Sequence, residues 1–505
     1  MRQGERRPNI VIICSDQHRA DSVAAYGNPI CRTPSLDRLA RQGVLFERCF
    51  VQNPVCSPQR ASIMTGLLSR NHGTLVNGIA LRRNLPTLAD MLRAEGYRTA
   101  AIGKTHLTAQ NEGVPEPPFY GFERLEYLED SKVGPYADWV LGEFPEYEGY
   151  IVGTMFNLPT RDEYWRGRRD FRREYLQARE AHVKPLQISP TCNWGFGHYN
   201  PMPEQAHQNR WIADRTLAYI GRCDPRDAHF LWVGFVDPHN PFDPPARFRE
   251  MYPPDRVDGR IHRDGEEQLW PPHTKAFRKY YETFTESDWR ILRALYYGSV
   301  TFMDQEIGRI LAALDEKLDM ENTIVVYTSD HGEILGDHGI CGKTAYHYDS
   351  CIRAPLICRW DGHWEAGRRE GEIVESTDLA ATLLAAACVR GDAVMDGCSF
   401  EPLLRGQALP APRGHAYSES YSGGPEDPTP APITWAKTIR TDRWRATFYP
   451  NADYGELFDL KADPAEVHNL WFELACRDVV EEHRCILVNR LMMMDYPIRR
   501  GRHAV

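Results

Sequence analysis

Asn9-Ile10-Val11-Ile12-Ile13-Cys14 is a continuous apolar run that ends in the polar triplet Ser15-Asp16-Gln17. β-Branched residues dominate it, which is typical of a strand buried on both faces of a sheet. Residues 230–236 and 323–328 repeat the pattern, and acidic and histidine side chains follow each. Helical patterns separate the runs, at residues 34–42, 85–95 and 300–314. The sequence therefore predicts an α/β fold whose strands end at one edge that carries the functional groups.

The composition indicates a globular protein with no strong electrostatic partner. The 505 residues carry a net charge of -10, and the mean hydropathy is -0.52 with 42% hydrophobic residues. The longest apolar stretch, residues 383–389, is far shorter than the roughly 20 residues that span a bilayer. Because no long basic run is present, we expect neither a membrane nor a nucleic acid as a partner. An anionic small molecule would need a local basic pocket.

The thirteen cysteines indicate the compartment. They are odd in number, irregularly spaced and without a Cys-x-x-Cys pair, which is typical of reduced thiols rather than of a disulfide framework. The residues before the first apolar run contain no hydrophobic segment of the kind found in secretory signals. We therefore expect a cytoplasmic protein.

Cys56-Ser57-Pro58-Gln59-Arg60, which continues as Ala61-Ser62-Ile63-Met64-Thr65-Gly66, resembles the signature of the type I, formylglycine-dependent sulfatases of the alkaline phosphatase superfamily. The resemblance implies that a formylglycine-generating maturation enzyme oxidises Cys56 to an aldehyde. One hydroxyl of the hydrated aldehyde would attack the substrate, and the other would expel the product, which a serine could not do. Arg60 would hold this nucleophile and screen an anionic substrate. From the residues alone, a buried cysteine before a proline turn is the alternative.

The resemblance also implies one divalent metal, with Asp16, Gln17, Cys56, Asp330 and His331 as its ligands. Most of these groups offer oxygen atoms, which suit a hard cation. Gln17 departs from the second aspartate common in arylsulfatases, and the set is similar to that of the phosphonate monoester hydrolases, which favour manganese. We expect Ca²⁺, with Mn²⁺ as the alternative. Without the resemblance, Asp330-His331 would be an ordinary turn at a strand end.

Further basic residues match the sulfatase pattern. The Gly-Lys-x-His-Leu segment around Lys104 and His106 resembles the one whose lysine binds sulfate and whose histidine assists collapse of the intermediate. His239 matches the histidine at the bridging oxygen of the substrate, Lys343 matches a second sulfate lysine, and Asn77 is similar to a pocket asparagine. Because phosphonate monoester hydrolases carry Tyr and Thr where this chain has Lys104 and His106, the segment favours a sulfate ester. Alone, each residue would be an ordinary surface or core position.

The resemblance covers nearly the whole chain and implies an alkaline-phosphatase-like α/β/α sandwich around a mostly parallel mixed sheet. We expect a sulfatase catalytic domain at residues 1–400, with an irregular aromatic-rich insertion near 121–198. A small C-terminal α+β subdomain follows at 401–505, with short antiparallel strands and a tail. Strand patterns fall at residues 434–449 and 456–460.

These observations predict a hydrolase that cleaves sulfate esters to an alcohol or phenol and inorganic sulfate. Two alternatives stay open: a phosphonate monoester or phosphodiester hydrolase with the same nucleophile, and a non-catalytic anion-binding relative. The substrate class is also open among aryl, alkyl, choline and carbohydrate esters, because the insertion gives no clear signal. Relatives that lack secretion signals often form dimers or tetramers, so we expect this chain to form a homo-oligomer of that kind.

Overall fold

A computed structural model of the chain describes residues 6–109, 114–155, 171–185, 197–343, 345–389, 394–422 and 434–494. The predicted insertion near 121–198 is thus described in part, and the C-terminal tail beyond 494 lies outside the described residues.

Fifteen strands form in the described residues: β1 (Asn9–Ser15), β2 (Val44–Phe50), β3 (Arg98–Gly103), β4 (Arg124–Tyr127), β5 (Lys184–Pro185), β6 (His198–Tyr199), β7 (His229–Gly234), β8 (Thr323–Ser329), β9 (Arg353–Arg359), β10 (Arg368–Glu370), β11 (Val374–Glu375), β12 (His415–Ser422), β13 (Thr434–Thr441), β14 (Trp444–Phe448) and β15 (Gly455–Asp459).

Nine strands make the central sheet, in the order β10-β2-β9-β8-β1-β7-β3-β4, with β11 paired to β2. Every neighbouring pair is parallel except the two pairs that involve β9, which runs against β2 and β8. The three strands predicted from apolar runs, β1, β7 and β8, are adjacent at the centre. Their carboxyl ends therefore meet at one edge, and the predicted α/β class with a mostly parallel mixed sheet is confirmed.

The helices of the described residues are α1 (Pro34–Gln42), α2 (Cys56–Thr65), α3 (Ser69–His72), α4 (Leu88–Ala94), α5 (Pro135–Glu143), α6 (Glu148–Thr154), α7 (Phe171–His182), α8 (Gln208–Ile220), α9 (Ala246–Glu250), α10 (Pro272–Arg278), α11 (Glu286–Lys317), α12 (Asp349–Ile352), α13 (Asp378–Ala386), α14 (Glu401–Leu404) and α15 (Arg477–Met494). None of these is both long and apolar enough to cross a membrane.

Two hydrophobic cores lie on opposite faces of the central sheet. Val11 and Ile13 of β1 pack in one core with residues of α1, α8 and α11. Ile10 and Ile12 pack in the other core with residues of α2, α4 and α13. Because successive strand residues point to opposite faces, a strand covered by helices on both sides must be apolar throughout, as β1 is. The layers form the expected α/β/α sandwich.

Helix α11 is longer than its sequence pattern. The predicted segment at 300–314 is only its second half, and the helix begins at Glu286. Thr285 caps it, since its side chain accepts the backbone N–H of Asp288 and the Asp288 side chain accepts the backbone N–H of Thr285. Such a capping box fixes a helix start without any hydrophobic periodicity.

A second, four-stranded antiparallel sheet, in the order β12-β13-β14-β15, forms the small C-terminal subdomain. The segment 434–449, predicted to carry short strands, forms two, β13 and β14, and helix α15 follows β15. The subdomain is bonded to the catalytic core, because the backbone N–H of Glu419 donates to the carbonyl of Gln52 at 2.7 Å. Gln52 lies just before α2, so β12 supports the segment that carries Cys56.

Candidate active site

Polar side chains cluster just past the carboxyl ends of β1 and β8. Single ligand atoms of Asp16, Cys56, Asp330 and His331 all lie within 4.8 Å of one another, and all four residues are buried. Asp16 follows β1, Asp330 and His331 follow β8, and Cys56 is brought in by α2. The structure therefore joins four of the five residues predicted to bind metal.

Cys56 is the first residue of helix α2, and the whole helix is buried. Gln59 holds the segment that leads into α2, because its side-chain oxygen accepts the backbone N–H groups of Gln52 at 2.9 Å and Asn53 at 3.0 Å. Residue 56 thus occupies a helix N-terminus, where free N–H groups and the helix dipole favour negative charge.

Three polar groups surround the sulfur of Cys56. Lys343 Nζ lies at 2.9 Å, His331 Nε2 at 3.3 Å and Asp16 Oδ1 at 3.6 Å. A nucleophile formed at this position would therefore sit between a cation, an imidazole and a carboxylate.

Arg60 lies one turn further along α2 and is completely buried. Its Nε donates to Asp330 Oδ2 at 2.7 Å and its Nη2 to Asp16 Oδ2 at 3.2 Å. Nη1 donates to the carbonyl of Lys104 at 2.8 Å. The guanidinium thus ties α2 to the ends of β1, β3 and β8.

His331 is arranged as a ligand. Its Nδ1 lies 2.8 Å from the carbonyl of Gly332, which fixes Nδ1 as the protonated nitrogen. Burial lowers the pKa of His331, so the imidazole is neutral and its Nε2 lone pair faces Cys56. Burial alone would raise the pKa of Asp16, but Lys104 and other nearby cations outweigh it and hold that pKa well below its usual range. This donor set fits a divalent cation.

Gln17 reaches the same cluster from the side. Its backbone has a φ of 64°, in the left-handed region that is costly for a residue with a side chain. Asp330 Oδ1 accepts its backbone N–H at 3.0 Å and stabilises this conformation. The side-chain oxygen accepts from Lys343 Nζ at 2.8 Å. The side chain of Gln17 therefore lies next to the cluster and is hydrogen-bonded to Lys343.

Lys104 is completely buried between two carboxylates. Its Nζ lies 2.7 Å from Asp16 Oδ2 and also contacts Asp130. Burial would lower the pKa of Lys104, but Asp130 and Asp16 raise it well above its usual value. Lys343 is similar. Burial would lower its pKa, but Cys56 and Asp16 favour its charged form, and the pKa of Lys343 is raised. With Arg60, the site holds three permanent cations.

His106, next to Lys104, is a buried neutral imidazole. Burial and the charge of Lys104 lower its pKa well below the usual value. Glu129 Oε1 accepts its backbone N–H at 2.8 Å, and burial raises the pKa of Glu129 to about 7. Nδ1 of His106 is buried with no hydrogen-bond partner among the described residues. This nitrogen therefore keeps an unused hydrogen-bonding position.

His239 and Asn77 lie at the border of the site. His239 follows β7, is partly buried, and its Nδ1 contacts the carbonyl of Asn240 at 2.6 Å, which leaves Nε2 for a substrate. Asn77 is exposed, and its side-chain oxygen accepts the backbone N–H of Ser57 at 3.0 Å. Asn77 thus contacts the start of α2, and its predicted contact with a substrate stays a prediction.

Three acidic residues at the site were not predicted from the sequence: Glu129, Asp130 and Glu333. Glu129 and Asp130 follow β4, and Glu333 follows β8. The signal for all three is the one that revealed Asp16 and Asp330, namely a carboxylate beyond the end of a strand. For β4 that signal was weak, because the strand has four residues and lies in the segment read as irregular.

Comparisons with known proteins find similar sequences over nearly the whole chain. The family model described as Sulfatase matches residues 8–389, and one described as N-sulphoglucosamine sulphohydrolase, C-terminal, matches residues 336–492. An arylsulfatase of Clostridium perfringens is 27% identical over 500 residues, covering 96% of this chain and 94% of the relative. An N-acetylglucosamine-6-O-sulfatase of Bacteroides thetaiotaomicron is 28% identical over 497 residues, covering 92% of this chain and 83% of the relative.

Among solved structures, a phosphonate monoester hydrolase of Agrobacterium radiobacter is similar with a TM-score of 0.78 and 23% identity. The match covers 97% of this chain and 96% of that one. At this identity the likeness shows a shared fold.

Proposed function

This chain belongs to the sulfatase family and is a sulfuric ester hydrolase, and from that premise we propose how it cleaves sulfate esters. The nucleophile is formylglycine, made from Cys56 by a formylglycine-generating maturation enzyme. The observation that carries the proposal is the position of Cys56 at a buried helix N-terminus, 2.9 Å from Lys343 Nζ and 3.3 Å from His331 Nε2.

In the first step, one hydroxyl of the hydrated aldehyde attacks the sulfur and passes its proton to Asp16 Oδ1, which lies 3.6 Å from the sulfur of Cys56 in the unconverted chain. The bond between sulfur and the ester oxygen breaks. Arg60, Lys104 and Lys343 neutralise charge on the sulfuryl oxygens and on the nucleophile. His239, in its imidazolium form, donates the proton on Nε2 to the departing alkoxide or phenoxide, while its Nδ1–H donates to the carbonyl of Asn240. The product alcohol leaves, and sulfate stays bound to residue 56.

In the second step, His106 accepts the proton of the remaining hydroxyl through Nδ1, which has no hydrogen-bond partner in the described part of the chain. The electron pair of that oxygen re-forms the carbonyl, and the bond between the formylglycine carbon and the sulfate oxygen breaks. Inorganic sulfate leaves with the bonding pair. Addition of water to the aldehyde restores the hydrate for the next turnover.

One divalent metal would be held by five groups: Asp16, Asp330, His331, Gln17 and residue 56. We favour Ca²⁺, with Mn²⁺ as the alternative that an imidazole and an amide ligand support. When bound, the cation supplies positive charge next to the sulfate and the nucleophile.

Replacement of the nucleophile tests the proposal. Cys56→Ala should abolish release of inorganic sulfate from an aryl sulfate ester, and Cys56→Ser should at most form a stalled sulfated enzyme. Cys49→Ala is the matched control, because Cys49 is also a buried free thiol, in β2 and outside the site. Full activity of Cys56→Ala would refute the proposed nucleophile. A wild-type protein that binds the sulfate ester but releases no inorganic sulfate would indicate the non-catalytic alternative.

A second candidate function is hydrolysis of phosphonate monoesters or phosphodiesters in the same site. The observation in its favour is the presence of Gln17, where arylsulfatases commonly have a second aspartate, together with His331. Lys104 and His106 favour sulfate, so we expect the higher kcat/KM with the sulfate ester when matched aryl sulfate and aryl phosphonate esters are compared. A higher value for the phosphonate would reverse the order of the two candidates.

The cytoplasmic location and a dimeric or tetrameric state stay predictions. Twelve of the thirteen cysteines fall in the described residues, and each is a free thiol, which supports a reducing compartment. Light scattering of the purified chain would give the oligomeric state.

A further inference from the structure

Glu333 lies three residues beyond Asp330 and is almost completely buried. Its Oε1 accepts the backbone N–H of Leu335 at 2.9 Å and the backbone N–H of Gly342. Its Oε2 accepts the side-chain amide of Gln17. Three donors from separate segments therefore converge on one carboxylate, and two of them are backbone groups that hold it in place.

This carboxylate decides which way the Gln17 amide points. On the far side of the amide, the Lys343 ammonium only donates hydrogen bonds, so the oxygen faces Lys343 and the NH₂ group faces Glu333. Nε2 of Gln17 also lies 3.4 Å from Oδ1 of Asn240. The amide oxygen consequently points the other way, to Lys343 Nζ at 2.8 Å.

The amide oxygen faces the reacting centre. Lys343 Nζ, which donates to it, lies 2.9 Å from Cys56 Sγ and 3.9 Å from Asp16 Oδ1. Glu333 also bonds Gly342, the residue before Lys343, so one carboxylate fixes both the acceptor and the segment that carries its donor. A rotation of the Gln17 amide would instead direct two N–H donors at an ammonium group.

We propose that Glu333 is a positioning residue that keeps the side-chain oxygen of Gln17 directed at the divalent metal and the nucleophile. The role rests on the metal site of the proposed function. Gln17 and Glu333 form a matched pair, because a carboxylate at position 17 would face Glu333 as a like charge.

Glu333→Gln tests this pairing with almost no change in volume. The backbone N–H groups of Leu335 and Gly342 still require an acceptor, so the new NH₂ group must face Gln17. Gln17 then rotates to accept, and its own NH₂ turns toward Lys343 and the metal. Loss of a group that orients a ligand typically costs roughly 10- to 100-fold in metal affinity, and we expect that loss here.

The double variant Gln17→Glu/Glu333→Gln exchanges donor and acceptor while the total charge stays the same. The amide at 333 donates to the carboxylate at 17, whose other oxygen faces Lys343 and the metal. We expect Gln17→Glu alone to be impaired, and the double variant to recover metal affinity to within roughly threefold of wild type, a coupling between contacting residues.

The measurement is the dissociation constant for Mn²⁺ and for Ca²⁺, from competition with a chelating dye, with the melting temperature of each metal-free variant recorded. Glu306→Gln is the matched control, since Glu306 is a buried glutamate of α11 that bonds Arg309 at 2.6 Å. Wild-type affinity in Glu333→Gln, or a loss that Gln17→Glu does not rescue, would overturn the proposal. A wild-type chain that binds neither ion would refute the metal site of the proposed function and the pairing with it.

Discussion

Lys104→Met removes the buried cation that we assign to the sulfuryl group. Lys104 Nζ is fully buried and held 2.7 Å from Asp16 Oδ2, so it is fixed in place before a substrate binds. A unit charge about 4 Å from an opposite charge is worth about 4 kcal/mol at an effective dielectric constant near 20. Charged hydrogen bonds contribute about 1.5–3 kcal/mol net. Since about 1.4 kcal/mol is a factor of ten, kcat/KM should fall by roughly 10- to 10³-fold.

The assay is the initial rate of inorganic sulfate release from an aryl sulfate ester at several substrate concentrations. Lys132→Met is the matched control, because Lys132 is also buried and lies 3.5 Å from its carboxylate partner Asp243. We expect the control to lose stability but to keep kcat/KM within roughly tenfold of wild type. A loss below tenfold in Lys104→Met, or an equal loss in both variants, would refute the reasoning.

Three further predictions concern pH, helix α2 and the metal. Burial raises the pKa of Glu129 from 4.5 to about 7, so between these values the folded chain holds a proton that the unfolded chain has released. The free energy of unfolding of wild type should therefore fall by up to about 3 kcal/mol relative to that of Glu129→Gln as the pH rises through this window. Urea unfolding of both proteins at about pH 5 and about pH 8 measures this change, and a difference that does not depend on pH would contradict the assignment. Asn77→Ala removes the acceptor for the Ser57 N–H and should lower the free energy of unfolding by about 1 kcal/mol, while Asn77→Asp keeps an acceptor and should not; equal stability of all three proteins would show that the contact is unimportant. Chelation should abolish sulfate release and Ca²⁺ or Mn²⁺ should restore it, so full activity of the chelated protein would exclude a metal role.

The predictable part of the fold and site is the part encoded locally. The apolar runs that became β1, β7 and β8 are buried on both faces, so their composition alone marks them, and Asp16 and Asp330 follow from where such strands end. Cys56 and Arg60 belong to one short motif, and α2 places both in the site.

The unpredicted part depends on which strands become neighbours. Asp130 reaches Lys104 because β4 pairs with β3, and nothing in either strand's sequence specifies that pairing. Glu333 reaches Gln17 because β8 pairs with β1. The contact between Gln17 and Asp330 at the ends of these strands joins residues that lie 313 positions apart in the sequence. The reversed direction of β9 likewise follows from packing and not from its composition.

The most direct test of the central claim is the mass of the tryptic peptide that spans residues 49–60, from protein produced together with a formylglycine-generating enzyme and alkylated before digestion. Cys49 lies in the same peptide and serves as an internal standard for thiol alkylation. We predict one alkyl group instead of two, and a peptide mass otherwise about 18 Da lower than that of the cysteine form, as conversion to the aldehyde requires. Two alkyl groups and an unchanged mass would show that Cys56 remains a thiol and would contradict the proposed nucleophile.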